Sequence, residues 1–191
     1  TTDTLMAKWD YATQGCIAIA ISNTSSDELI VFVANSITDV GSNRTTTTNA
    51  NLSTGVWYMI SIIYDGSQSN IDRVKIYVNG SIKTTTTNGT ITTTLTNATS
   101  SFKIGKFGGG LTRYIDGSID EVSIFDVGLS ASDITAIYNS GTPTDISAIS
   151  GLVSWWRMGD GDTYPTITDN AGSNDGLMKN MSSANFVADV P

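Results

Sequence analysis

Short runs of β-branched and aromatic residues, each ended by a cluster of Asn, Gly, Asp or Ser, recur along this chain and point to stacked antiparallel strands. Leu29-Ile30-Val31-Phe32-Val33, Val56 through Tyr64, and Val74-Lys75-Ile76-Tyr77-Val78 are such runs. The third ends at Asn79-Gly80 and resumes at Ser81-Ile82-Lys83. Asn-Gly between two strands predicts a type I′ hairpin, because both central residues of that turn need positive φ. The fold class that follows is all-β, an antiparallel β-sandwich.

One segment reads as a helix, near 130–139. Ser130 stands as N-cap with Asp133 three residues on, Ile134, Ile137 and Tyr138 follow at helical spacing, and Gly141 and Pro143 close it. It is expected to cap the sandwich, with Leu129 beneath it. Residues 84–100 are almost wholly Thr, Asn, Ser and Gly, with Ile91 and Leu95 as the large apolar anchors, and read as a polar strand or loop at a sheet edge.

Composition narrows the function. The formal charge is -8 and no run of Lys or Arg occurs, so an electrostatic grip on nucleic acid or on an anionic membrane is not expected. No stretch is long and apolar enough to span a bilayer, and Thr1-Thr2-Asp3-Thr4 lacks signal-peptide character. Cys16 is the single cysteine, so packing and backbone hydrogen bonds must hold the chain. Its place in Gly15-Cys16-Ile17-Ala18-Ile19 predicts a buried, inert thiol. Asn-x-Ser/Thr sequons at Asn23, Asn43, Asn51, Asn79, Asn88, Asn97 and Asn180 follow from a chain rich in Asn and Thr, and glycosylation is a minor reading.

Phe102-Lys103-Ile104-Gly105, then Tyr114-Ile115-Asp116-Gly117-Ser118-Ile119-Asp120-Glu121-Val122-Ser123-Ile124-Phe125, then Leu129-Ser130 and Tyr138-Asn139-Ser140-Gly141, stand in an order that resembles the closing signature of laminin-G-like domains. These belong to the concanavalin-A-like jelly rolls. Gly55-Val56-Trp57-Tyr58 and the Val74–Gly80 hairpin resemble earlier strands of the same family, and the likeness runs over about residues 5–141. Two departures stand out. The family's usual opening strands are missing ahead of Thr1, so the chain is expected to begin in mid-domain. Gly151 through Asp162 and Ile167 through Met178 are in turn similar to the family's first segment, although they come last.

A fragment straddling two tandem repeats and a permuted sandwich both explain this order. The second is preferred, because 143–191 is short for an independent core. The expected organisation is a jelly-roll sandwich over 1–142 and a tail over 143–191 that completes it. Marine bacteriophage virion proteins have a similar segment order, which implies a structural or adhesion role at a virion surface, with other virion proteins or copies of the chain as partners. The alternative is a lectin module of a cell-surface or secreted protein that binds surface glycans.

Catalysis is not expected. Retaining glycosidases need two carboxyl groups about 5 Å apart, whereas the glutamates are Glu28 and Glu121 only. Asp116 and Asp120, four apart on an expected strand, would stand about 13 Å from each other. The chain has no histidine, which removes triads and the usual zinc sets. Gly108-Gly109-Gly110 lacks the Lys-Ser/Thr of a phosphate loop.

The resemblance implies calcium as the one cofactor, at Asp120, the position of a calcium-binding Asp in similar jelly rolls. The other reading of Asp120 is an acceptor for nearby backbone amides. Gly159-Asp160-Gly161-Asp162 lacks a full EF-hand pattern and reads as a solvated turn. Trp155 and Trp156 are candidate glycan contacts. Neighbouring strand residues face opposite ways, so one is expected in the core and one at the rim.

Overall fold

Period-two burial builds the first part of the molecule. In strands β2 (Gln14–Ser22) and β3 (Leu29–Val33) the antiparallel register pairs Ile17 with Val33, Ile19 with Val31 and Ile21 with Leu29. Six aliphatic side chains therefore share one face. The computed structural model describes the whole chain except residues 1, 11–13, 23–27, 36–42, 109–112 and 188–190.

Adding β1 (Thr2–Asp10), β4 (Arg44–Thr47), β8 (Thr85–Asn88) and β9 (Lys103–Ile104) gives a six-stranded antiparallel sheet in the order β8-β4-β3-β2-β1-β9. A second sheet joins β5 (Ile60–Tyr64), β6 (Val74–Val78) and β7 (Ser81–Ile82). Its Val74, Ile76 and Val78, with Ile60, Ile62 and Tyr64, pack on the aliphatic face of the first, and Ile91 completes that core. The other face of the larger sheet buries Ala7, Trp9 and Ala18 with Phe107. A register shift between Thr4 and Met6 in β1 lets Leu5 and Met6 serve the first core while Ala7 and Trp9 serve the second.

Several sequence expectations hold in this region. Asn79 and Gly80 both take positive φ, 51° and 74°, and join β6 to β7. Cys16 is buried, and burial pushes its thiol up. The strand β8 forms one edge of the larger sheet, where Thr45 meets Thr87 through their hydroxyls and Thr47 accepts from the Leu29 amide.

Others need correction. The run from Val56 becomes a strand only at Ile60. Ile91 is fully buried but Leu95 is 40% exposed, because polar bonds rather than a second apolar anchor hold residues 89–96. Arg73 donates to the carbonyls of Gly66 and Ile91, Asn70 accepts from the Ile91 amide, and Tyr64 donates to the Thr92 carbonyl. Asn23 and Gly109-Gly110 lie outside the described residues.

The chain forms two compact units, Thr1–Gly117 and Ser118–Pro191. The cause is strand pairing. The expected closing strand is short, β10 (Val122–Phe125), because Asp116 and Gly117 form a bend and Glu121 sits at φ 51°. Asp116 and Asp120 thus share no strand. Within the second unit β10 pairs antiparallel with β11 (Leu152–Trp156), and β12 (Thr166–Ile167) pairs with β13 (Gly176–Leu177).

Helix α1 (Ala131–Tyr138) carries the expected capping box of Ser130 and Asp133 and buries Ile134. It stops earlier than Gly141, since Asn139 already takes a left-handed conformation. Among the described residues no helix is long and apolar enough to cross a membrane.

The glycine after β5 provides a test of the polar anchoring. A Cβ on Gly66 would lie 1.9 Å from the Thr93 carbonyl oxygen, whereas one on Gly55 meets nothing within 4 Å. Gly66→Ala is expected to cost about 3 kcal/mol through overpacking. Gly55→Ala, at φ +74° in open space, is expected to cost about 1 kcal/mol. Urea unfolding of the two variants measures the difference.

Candidate functional site

The β10–β11 register determines the surroundings of the candidate site. Val122 pairs with Trp156 and Ser123 with Trp155, so the next pair outward sets Glu121 opposite Arg157. Trp155 and Arg157, two apart, lie on one side of the strand. The Trp155 indole N–H donates to Glu121 Oε2 at 2.6 Å, and Arg157 Nε donates to Glu121 Oε1 at 3.3 Å. The guanidinium also donates to Asp160 at 2.6 Å and lies 5.3 Å from the Trp155 ring centroid. Glu121, Trp155 and Arg157 line an open pocket of about 320 Å³ with Pro143, Thr144, Asp145, Ser147 and Asn170, all in the second unit.

A buried carboxylate holds the floor of this arrangement. Asp169 is 5% exposed, and its oxygens accept the amides of Trp155, Ala171, Gly172 and Asn174 at 2.9, 3.1, 3.0 and 3.1 Å. Burial alone would push its carboxyl up, but the four N–H groups outweigh burial and hold it well below the usual carboxylate range. Asn170 continues the lock, its amide and side chain both donating to the Trp155 carbonyl. The turn needs Gly172, because a Cβ there would sit 2.7 Å from the Val153 carbonyl.

Both tryptophans are buried, Trp155 at 7% and Trp156 at 5% exposure, so the expected division into core and rim does not hold. Trp156 donates to the Asn174 carbonyl, while Trp155 walls the pocket with Arg157 over its ring.

Asp120 accepts the Glu121 amide at 2.9 Å. Burial pushes its carboxyl up against that bond, with the charges of Glu121 and Asp160 adding to the rise and Arg157 opposing it. Calcium takes six to eight oxygens, and among the described residues no three His, Cys, Asp or Glu side chains gather to hold a metal. Glu121 and Asp160 are paired with Arg157 instead. Asp162 in the acidic loop accepts the amides of Gly159 and Thr168, which makes it a turn-forming group.

Sequence reasoning missed Glu121 as a partner of Arg157, and it missed Asp169. The available signal for Asp169 was the stretch Asp169-Asn170-Ala171-Gly172, in which an Asp side chain can accept amides two and three residues on.

The model of the concanavalin A-like lectin/glucanases superfamily matches residues 4–135. The crystal structure of a protein from Bacteroides ovatus ATCC 8483, described as "a putative carbohydrate binding protein", is similar in fold. Its TM-score is 0.67 at 21% identity, over 92% of this chain and 47% of that one. The chain therefore spans about half of that protein's length. Among curated proteins none matches the chain significantly.

Asp169 makes stability depend on pH with a definite sign. Its folded carboxyl titrates below the unfolded one, so its contribution is complete above the ordinary carboxylate range and is lost as the pH falls. Asp169→Asn is expected to cost about 3 kcal/mol at neutral pH. The urea midpoint of the parent should drop between about pH 4 and pH 2, and that part of the profile should flatten in the variant.

Proposed function

Since the chain belongs to the concanavalin A-like lectin/glucanases superfamily, we propose that it is a non-catalytic carbohydrate-binding module whose ligand sits in the Glu121–Asp145–Arg157 pocket. The observation that carries this reading is the lining itself. Its polar groups are pre-positioned: Glu121 by Trp155 and Arg157, Asn170 by the Trp155 and Thr168 carbonyls, and Asp145 by the Ser147 amide. A sugar replaces water well where hydrogen-bonding groups already stand in place.

Support for binding over hydrolysis comes from the state of the lining carboxylates. Glycoside hydrolysis needs one protonated carboxyl as acid. Asp145 is held below the usual carboxylate range by the Ser147 amide and hydroxyl, and Glu121 is ion-paired with Arg157. Asp120, whose carboxyl is pushed up, is not among the lining residues.

The virion-component reading rests on the segment order, the lack of disulfides and the Thr/Asn/Ser-rich edges. Neither the family match nor the Bacteroides ovatus likeness carries it, and the glycan-binding alternative has the better support.

The purified chain on a glycan array, with and without a chelator, tests the proposal. Binding to a defined glycan set that survives chelation is expected, with no reducing ends released from the bound glycans. Asp145→Ala should weaken binding about tenfold, the scale of one charge-assisted hydrogen bond. A folded chain that binds no glycan, or that releases reducing ends, would refute it.

A further inference from the structure

The pocket's charge and its pattern of acceptors narrow the ligand further, given the carbohydrate-binding reading above. Arg157 is the cation of the lining, and its charge is already shared by Glu121 at 3.3 Å and Asp160 at 2.6 Å. No positive charge is left over for an anion. Glu121 and Asp145 against Arg157 leave the lining with one negative charge in excess, and Asp160 adds another beside it.

Asp145 is exposed, and among the described residues the ion pairs join Arg157 to Glu121 and to Asp160, not to Asp145. Its carboxylate accepts the Ser147 amide and is also stabilised by the Ser147 hydroxyl, and these two bonds use part of the four acceptor positions of an exposed carboxylate. Asn170 spends its side-chain N–H groups on the Trp155 and Thr168 carbonyls, so its amide oxygen is the end left for a ligand. The site thus asks for donors, and for positive charge at Asp145.

We propose that the pocket takes a saccharide bearing a free, protonated amino group, with the ammonium on Asp145, and rejects uronate and sulfated sugars. A neutral sugar would supply donors but add no positive charge at Asp145, which has the long-range attraction of Arg157 and no direct ion pair among the described residues. An anionic one would meet Glu121, Asp145 and Asp160 with no free cation to offset them, and like charges in such a site oppose binding. Low pH does not remove the preference until Asp145 itself protonates, and the Ser147 bonds hold that carboxyl below the usual range.

Three oligosaccharides of equal length separate the possibilities by calorimetric titration: a glucosamine oligomer, its N-acetylated form and a glucuronate oligomer, each at low and high salt. The expected result is glucosamine tightest, about tenfold over the acetylated form at low salt, with no glucuronate binding. Asp145→Asn should erase that tenfold difference, whereas Asp72→Asn, an exposed carboxylate elsewhere, should leave it. Glucuronate binding, a neutral preference, or an amine preference that survives Asp145→Asn would each overturn the inference and leave the carbohydrate-binding reading intact. A folded chain that binds none of the three, on top of an empty glycan array, would overturn both.

Discussion

A single buried carboxylate organises the second unit. Asp169 lies in a turn, yet it accepts the amide of Trp155 from β11 along with three amides of its own loop. Four charge-assisted bonds to one ion in a buried place tie the loop to the strand far more tightly than neutral bonds would. Because Trp155 is fixed at its backbone, its indole N–H can be aimed at Glu121, and Arg157 can close over both. The pocket is therefore a consequence of where one carboxylate is ionised.

In the first unit the controlling constraint is packing. Aliphatic residues of β2 and β3 face those of β5 and β6 in one continuous core, and the residues between them on the larger sheet meet a second core around Trp9 and Phe107. A sheet buried on both faces reads as a nearly unbroken apolar run, which is how Gly15 through Ile21 and Leu29 through Val33 look in sequence. The Thr-rich strands β4 and β8 complete the edge differently. Their buried hydroxyls satisfy one another or a strand amide, so polar residues can occupy an inner face without penalty.

The exposed Arg157–Asp160 pair adds little stability, since surface pairs contribute about 1 kcal/mol or less, and the Arg157–Glu121 pair is partly buried. Their importance lies in electrostatics. Among the described lining residues Arg157 is the one cation, and these pairs absorb its charge. One side chain on β11 thereby sets what the neighbouring acids are able to bind.

Much of the fold was legible in the residues. The Asn79-Gly80 hairpin, the strands Leu29–Val33 and Val74–Val78, and the Ser130–Asp133 capping box depend on neighbours a few positions away, and local rules suffice for them. The start of β5, the brevity of β10 and the exposure of Leu95 were not legible, because each depends on which distant segment arrives to pair or pack. Of the candidate site, Trp155 was singled out from sequence but its partner Glu121 was not, whereas Asp120, outside the lining, accepts a neighbouring backbone amide as one of its two sequence readings has it. By itself the sequence determined strand period, turn chemistry and the exclusion of histidine, disulfide and polybasic chemistries, which are properties of composition and short spacing. Only tertiary structure decided that Trp155 and Trp156 are both buried, that Asp169 is the ion that holds the loop, and that Glu121 meets Arg157. Those contacts join residues 14 to 36 positions apart through strand pairing, and no local pattern encodes which carboxylate a distant amide will reach.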